Sequence, residues 1–133
     1  MKIHILGIGG TFMAGIAIIA KQLGHEVTGS DKNLYDPMKT VLEKSNIKYQ
    51  EGYNQKILNK KFDLIINLAA QAGVRVAKDK RSLYQYSNID GFKAILAYCN
   101  NYGLNKIIYA SSSAVYDDSR SNAFSEEETE LKP

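Results

Sequence analysis

Two clusters in this sequence have residue types and spacing suited to chemistry. The first is Gly7-Ile8-Gly9-Gly10-Thr11, with Asp31 downstream of it. A turn that holds a phosphate needs backbone angles open to glycine, and amide N–H groups that an anion reaches without a Cβ in the way. Gly7-x-Gly9 supplies both, and an apolar segment just after it adds a helix dipole favourable to negative charge. The dinucleotide fingerprint would place glycine at position 12, where this chain has Phe12, so its ordinary form is not met. Asp31 closes the next apolar run, a place where an acid holds a ribose hydroxyl or a base. Against this nucleotide site stands a plainer alternative, a tight structural turn with a solvent-facing aspartate. The second cluster, Ser111-Ser112-Ser113, ends another apolar run and has no evident base.

The elements that must position these groups follow from the hydrophobic pattern. Lys2 to Leu6 is a β-branched, apolar strand that runs into the glycine turn. Phe12 to Leu23 is apolar on nearly every side, which predicts a helix buried all round, closed by Gly24. A second strand follows from His25 and ends at Asp31. Asp36 before Pro37 predicts an N-cap and a first helical position, with Met38, Val41 and Leu42 on one face and Asn46 near the stop. A short strand is expected at Ile47 to Gln50, one or two helical turns at Tyr53 to Leu58, and a buried strand within Phe62 to Ala70. Tyr84, Asn88, Gly91, Ile95 and Tyr98 recur at helical spacing, which predicts one long helix from Arg81 to Tyr102. In it Gly91 allows close approach to the sheet, and Gly103 is the cap. Lys106 to Ala110 is the fifth strand.

Strands that alternate with helices and are nearly continuous apolar runs predict an α/β fold with a parallel sheet covered on both faces. Right-handed crossovers reduce the choice to a Rossmann-like, doubly wound five-stranded parallel sheet of order 3-2-1-4-5 in three α/β/α layers. Its ligand crevice lies at the switch point between the first and fourth strands. Ile3, Ile5, Val27, Ile65, Ile66, Ile107 and Ile108 are expected in the buried layers. Residues 1–133 form a single domain, in which 117–133 is acidic and is expected to stay loose.

Composition narrows the function classes. With 133 residues, 44% of them hydrophobic, the chain can bury a core without disulfides or a structural metal. The single Cys99 and the isolated His4 and His25 predict no disulfide and no metal site, and fit the reducing cytoplasm. Residues 1–62 carry nine Lys and five acids, whereas 63–133 carry five Lys, three Arg and nine acids. The lysines are scattered rather than set in a stripe, which argues against nucleic acid as a partner. Gly7, Gly9 and Gly10 divide the apolar N-terminal stretch into runs too short to cross a membrane.

The run Ile3-His4-Ile5-Leu6-Gly7-Ile8-Gly9-Gly10-Thr11-Phe12-Met13 and the run Gly24-His25-Glu26-Val27-Thr28-Gly29-Ser30-Asp31 resemble the N-terminal UDP-binding domain of the Mur ligases. The murein-peptide ligases, which act on UDP-N-acetylmuramate, are the branch most similar. The resemblance continues through Tyr35-Asp36-Pro37-Met38 and Leu42-Glu43 to about residue 58. It implies that Gly9, Gly10, Thr11 and Asp31 hold the UDP moiety. The family's ATP loop, ending in Gly-Lys-Thr or Gly-Lys-Ser, has no counterpart here, so ligation is not expected.

A second resemblance covers residues 62–116. Ile66-Asn67-Leu68-Ala69-Ala70-Gln71-Ala72-Gly73-Val74-Arg75, then Ser87-Asn88 with Gly91, then Tyr109-Ala110-Ser111-Ser112-Ser113-Ala114-Val115-Tyr116 are similar to extended short-chain dehydrogenase/reductases, above all the UDP-glucuronate type of nucleotide-sugar epimerase. That likeness implies that Ala69 and Ala70 line NAD, that Asn88 sits in the helix behind the site, and that Ser112 stands in the place of the catalytic serine. The family's chemistry needs a tyrosine acidified by a lysine four residues on. The pair is expected beyond Pro133, which leaves Ser112 vestigial. Tyr35-x-x-x-Lys39 and Tyr102-x-x-x-Lys106 have the spacing, but the first begins a helix in the Mur-like half and the second straddles Gly103. Both are read as chance.

Together these features predict an engineered or recombined chimera of two Rossmann-like halves, with no catalytic activity and no required cofactor. At most it binds NAD or a UDP-sugar weakly, and it needs no obligate protein partner. The alternatives are a nucleotide-binding module in its own right and a remnant of an NAD-dependent nucleotide-sugar epimerase.

Overall fold

The computed structural model describes residues 1–54, 59–71, 81–112 and 115–116. The expectations for 55–58, Ser113 and the acidic segment 117–133 lie outside the described residues. Five strands form one parallel sheet: β1 (Lys2–Leu6), β2 (Glu26–Asp31), β3 (Lys48–Glu51), β4 (Leu64–Asn67) and β5 (Ile107–Tyr109). Their order is β3-β2-β1-β4-β5, as expected. β1 is central and pairs with β2 from Lys2↔Glu26 to Leu6↔Ser30, and with β4 from Ile3↔Leu64 to Leu6↔Asn67. The helices are α1 (Thr11–Gln22), α2 (Met38–Lys44), α3 (Arg81–Tyr84) and α4 (Gly91–Tyr102), with a π-helical turn at Gln85–Asp90 between the last two.

Alternation along the strands sends side chains to two cores. Ile3, Ile5, Val27 and Ile66 pack with Ile8, Met13, Ala14, Ala17 and Leu42 on the face that carries α1 and α2. Ile65 packs with Phe62, Tyr98 and Cys99 on the face that carries α4. Each fully buried aliphatic side chain such as Ile5 or Leu42 contributes about 1.5–3 kcal/mol through removal of apolar surface from water. The Tyr98 hydroxyl fastens the chain ahead of β4, accepting the Phe62 N–H (3.1 Å) and donating to the Lys60 carbonyl (2.5 Å).

Several expectations need correction. α1 is not buried all round: Met13, Ala14 and Ala17 face the sheet, whereas Phe12, Ile19 and Leu23 are 75%, 58% and 70% exposed. A helix lying over one side of a sheet hides one stripe, whatever the composition of the other. Ile108 is also exposed, because β5 is an edge strand and α1 packs on β2 and α2 instead; only Ile107, turned to the α4 side, joins a core. α2 starts at Met38 rather than Pro37, although the Asp36 carboxylate does secure its first turn, accepting the Thr40 N–H (3.2 Å) and hydroxyl (2.6 Å). Tyr53 and Asn54 are not helical. The long helix is interrupted by the π-helical turn, whose extra residue shifts the register that the spacing assumed. Gly91 faces the Tyr86 carbonyl, not the sheet. The left-handed stop at Gly103 (φ 62°) is as expected, and Asn46 likewise takes a positive φ of 51° just beyond α2.

Candidate nucleotide site

The glycine turn is held from below by the strand beside it. The Gly7 and Ile8 N–H groups both donate to the Ser30 carbonyl (2.8 and 3.3 Å), and the Gly10 N–H donates to the Gly7 carbonyl (3.3 Å). Gly7 has φ +87°, and a Cβ there would lie 3.3 Å from the Ala69 nitrogen, so the turn after β1 touches the segment after β4. Ile8 folds back, fully buried, against Gly29.

Gly9 and Gly10 differ in what requires them. The Gly9 N–H donates to Asp31 Oδ2 (2.8 Å), and a Cβ on Gly9 would stand 2.8 Å from that oxygen and 2.9 Å from Cγ. A side chain on Gly9 would push the Asp31 carboxylate aside, so glycine at this position serves the chain's own aspartate. Gly10 is exposed and has ordinary extended angles (φ −66°, ψ 139°), and a Cβ there would meet nothing closer than 3.6 Å. It is the N-cap of α1 and supplies no side-chain bond to the first turn, which begins at the exposed Thr11.

Asp31 ends β2 with its carboxylate fixed at both oxygens, since Oδ1 accepts the Asn33 N–H at 3.1 Å. Tyr53, half exposed, stands nearby: burial raises its phenol pKa, the Asp31 charge raises it further, and the Lys32 backbone amide opposes both. Across the switch point, Ala69 and the exposed Ala70 follow β4. The next residue is clamped, as the Gln71 N–H donates to Asn88 Oδ1 (2.8 Å) and Asn88 Nδ2 donates to the Gln71 carbonyl (3.1 Å). Asn88 lies in the π-helical turn, a distortion frequent at functional sites.

The structure thus gathers Gly7, Gly9, Gly10, Thr11, Asp31, Ala69 and Ala70 around the carboxyl ends of β1, β2 and β4. Ser112 is separate from them, past β5 on the far side of β4, exposed, with its carbonyl accepting the Val115 N–H (3.2 Å). Neither tyrosine–lysine pair reaches it. The Lys39 ammonium is 3.9 Å from Glu51, and the exposed Tyr35 meets Lys39 through its backbone carbonyl. Tyr102 and Lys106 line a cavity of about 280 Å³ with Met1 and Asp63, at the opposite, amino edge of the sheet. Sequence reasoning missed Tyr53 as a neighbour of Asp31, and it gave Asn88 a place without its two bonds. Position alone carried no signal for either.

His4, one strand position before the buried Ile5, is itself buried under the site. Its Nδ1 is 2.8 Å from Thr28 Oγ1 and its Nε2 is 2.9 Å from Ser30 Oγ, and its ring tilts against Phe62 at 4.9 Å. Burial, and then the positive Lys60, lower its pKa to about 4, so the imidazole is neutral at pH 7. Among the described residues no three His, Cys, Asp or Glu side chains come together as a metal site, and no helix is long and apolar enough to cross a membrane.

Comparison with known proteins returns both likenesses. The NAD dependent epimerase/dehydratase family matches residues 3–133, so its likeness extends into the half that resembles Mur ligases. The UDP-N-acetylmuramate--L-alanyl-gamma-D-glutamyl-meso-2,6-diaminoheptandioate ligase of Escherichia coli is 59% identical over 66 residues, 50% of this chain and 14% of the ligase. UDP-glucuronate 4-epimerase 4 of Arabidopsis thaliana is 33% identical over 100% of this chain, which spans 34% of the epimerase. Among solved structures, the UDP-Glc/GlcNAc 4-epimerase of Campylobacter jejuni superposes with a TM-score of 0.82 at 22% identity, over 99% of this chain and 43% of that one.

Proposed function

The chain belongs to the NAD dependent epimerase/dehydratase family, and from that premise we propose that it is a nucleotide-binding Rossmann domain, recombined from a Mur-ligase-like and an epimerase-like half, that does no chemistry itself. The observation that carries this reading is Gly10. Glycine at position 7 answers to its positive φ and at position 9 to the Asp31 carboxylate, but position 10 has room for a side chain and carries none. A bare residue at an uncapped helix start leaves the first amides of α1 open to a pyrophosphate.

The residues present fit NAD: Gly10 and Thr11 would take its pyrophosphate, Asp31 a ribose, and Ala69 and Ala70 would leave space beside it. NAD would supply the hydride acceptor of the family's chemistry. The other half of that chemistry needs a phenol beside the nicotinamide, and among the described residues the tyrosine–lysine pairs point elsewhere, which supports a domain that binds without turnover. A UDP-sugar fits the same loop. The arrangement requires no protein partner, and the buried thiol of Cys99 is suited to the cytoplasm.

No Lys or Arg lies within the loop, so affinity rests on the dipole and backbone amides and is weak, with a Kd on the order of 1 mM, or about −4 kcal/mol. Amide NMR titration with NAD tests the reading. Shifts are expected at Gly10, Thr11 and Phe12, and Gly10→Val should abolish them while it leaves the rest of the spectrum folded. Unmoved amides in the wild type would overturn the binding, and turnover of UDP-glucuronate in the presence of NAD would overturn the absence of catalysis.

A further inference from the structure

The cavity of about 280 Å³ at the amino edge of the sheet takes no part in the nucleotide site, which lies at the carboxyl ends of β1, β2 and β4. Its wall comes from the approaches to β4 and β5 and from the end of α4, which the parallel sheet sets side by side. The floor is apolar and held in place. Phe62 is 7% exposed, the Tyr102 ring stacks on Tyr98 with centroids 4.6 Å apart, and Leu104 packs against the same core.

The rim is positive. Lys61 and Lys106 stand on it, one ahead of each strand, against the single acid Asp63, whose Oδ2 already accepts the Lys2 N–H (2.7 Å). Among the described residues neither lysine forms an ion pair. Lys2 and Lys48 open β1 and β3 along the same edge, with Glu26 of β2 between them, so the surroundings add to the positive field. The end of α4 makes little demand on these cations, because it closes on itself: Gly103, at φ +62°, donates its N–H to the Asn100 carbonyl (3.3 Å), and the Leu104 N–H goes to the Cys99 carbonyl (2.8 Å).

We infer that this cavity is a second binding site, for a small aromatic carboxylate: the ring lies on Phe62, Tyr102 and Leu104, and the carboxylate meets Lys61 and Lys106. Its volume of about 280 Å³ is at the lower limit of small-molecule sites, roughly 300 Å³, which restricts the ligand to about one ring. The site is independent of the nucleotide loop, and either can exist without the other.

Amide NMR titration of the full chain uses phenylacetate as the probe, with acetate and phenethylamine as controls for the ring and the charge. Saturable shifts are expected with phenylacetate at the amides of Phe62, Tyr102, Gly103 and Leu104. Acetate should bind there at least about 5-fold more weakly, and phenethylamine not at all. Lys61→Gln/Lys106→Gln, a change at two exposed positions, should weaken phenylacetate at least about 4-fold. Lys61→Arg/Lys106→Arg, which keeps both charges, and Lys93→Gln, at an exposed position on α4, should stay within about 2-fold of wild type. The absence of saturable shifts at these four amides, or their appearance only at Gly10 and Thr11, would overturn the site. Phenethylamine binding as well as phenylacetate, or a Lys61→Gln/Lys106→Gln protein within about 2-fold of wild type, would overturn recognition of a carboxylate.

Discussion

Ile8 occupies the space that a side chain on Gly29 would need: a Cβ there would lie 2.3 Å from Ile8 Cδ1 and 2.7 Å from its Cβ. The glycine turn is thus plugged into β2 from above, and the plug is fully buried. Gly29→Ala forces the plug out or bends the strand, and should cost about 1–3 kcal/mol by overpacking. Urea unfolding measures it; a loss below about 0.5 kcal/mol would mean that the turn is not seated this way.

Ile65 and Ile108 should separate by their surroundings although both lie in strands. Ile65→Ala opens a cavity in a buried strand between β1 and β5 and should cost about 2–5 kcal/mol. Ile108→Ala, at a position 53% exposed, should cost under about 1 kcal/mol. Thermal unfolding of the two variants gives the contrast. Equal losses would show that the outer face of β5 is covered.

His4 makes stability depend on pH in a defined window. Its native pKa is about 4 and its unfolded value is near 6.5, so between those limits the unfolded chain binds the extra proton. Stability is therefore fully present above about pH 6.5 and falls as the pH drops toward 4, by up to about 3 kcal/mol from this group. Urea midpoints at pH 7 and pH 5 should differ in the wild type and converge in His4→Phe. The same slope in both proteins would assign the effect to other groups.

Asn88→Ala removes both bonds to the Gln71 backbone. Each net hydrogen bond is worth about 0.5–1.5 kcal/mol, so the global cost is modest. The sharper readout is local: the Gln71 amide should lose hydrogen-exchange protection while the amide of Ile66 in β4 keeps its own. Unchanged protection at Gln71 would show that the segment after β4 is held by something else.

The sheet was legible because burial of both faces makes β1 and β4 apolar runs, and strand order then follows from crossover handedness. Depth of burial was not, since Phe12, Ile19, Leu23 and Ile108 are apolar but depend on what lies over them. Glycine roles were half legible. Spacing announces a turn at Gly7 and Gly9, but only the position of Asp31 shows that a Cβ at Gly9 would meet the protein's own carboxylate while one at Gly10 would meet open space. Tyr53 was hidden by a plausible helical reading of its segment, and the π-helical turn by a periodicity that assumes a uniform helix.

Among the described residues the two halves of the chain share one backbone ladder, the four pairs from Ile3↔Leu64 to Leu6↔Asn67, flanked by Lys2, whose N–H donates to Asp63 Oδ2 (2.7 Å) and whose carbonyl accepts the Asp63 N–H (2.9 Å). Amide–carbonyl pairing does not depend on which side chains a strand carries, so an exchange of genetic material between the codons of Glu51 and Leu64 breaks no strand and alters no hydrogen-bond partner in the sheet. What such an exchange would disturb is side-chain fit: Ile66 in the core with Ile3 and Ile5, Leu6 and His4 against Phe62, and the space between Gly7 and Ala69. A seam of this kind makes the interval between β3 and β4 a place where an exchange would cost no strand and no sheet pairing.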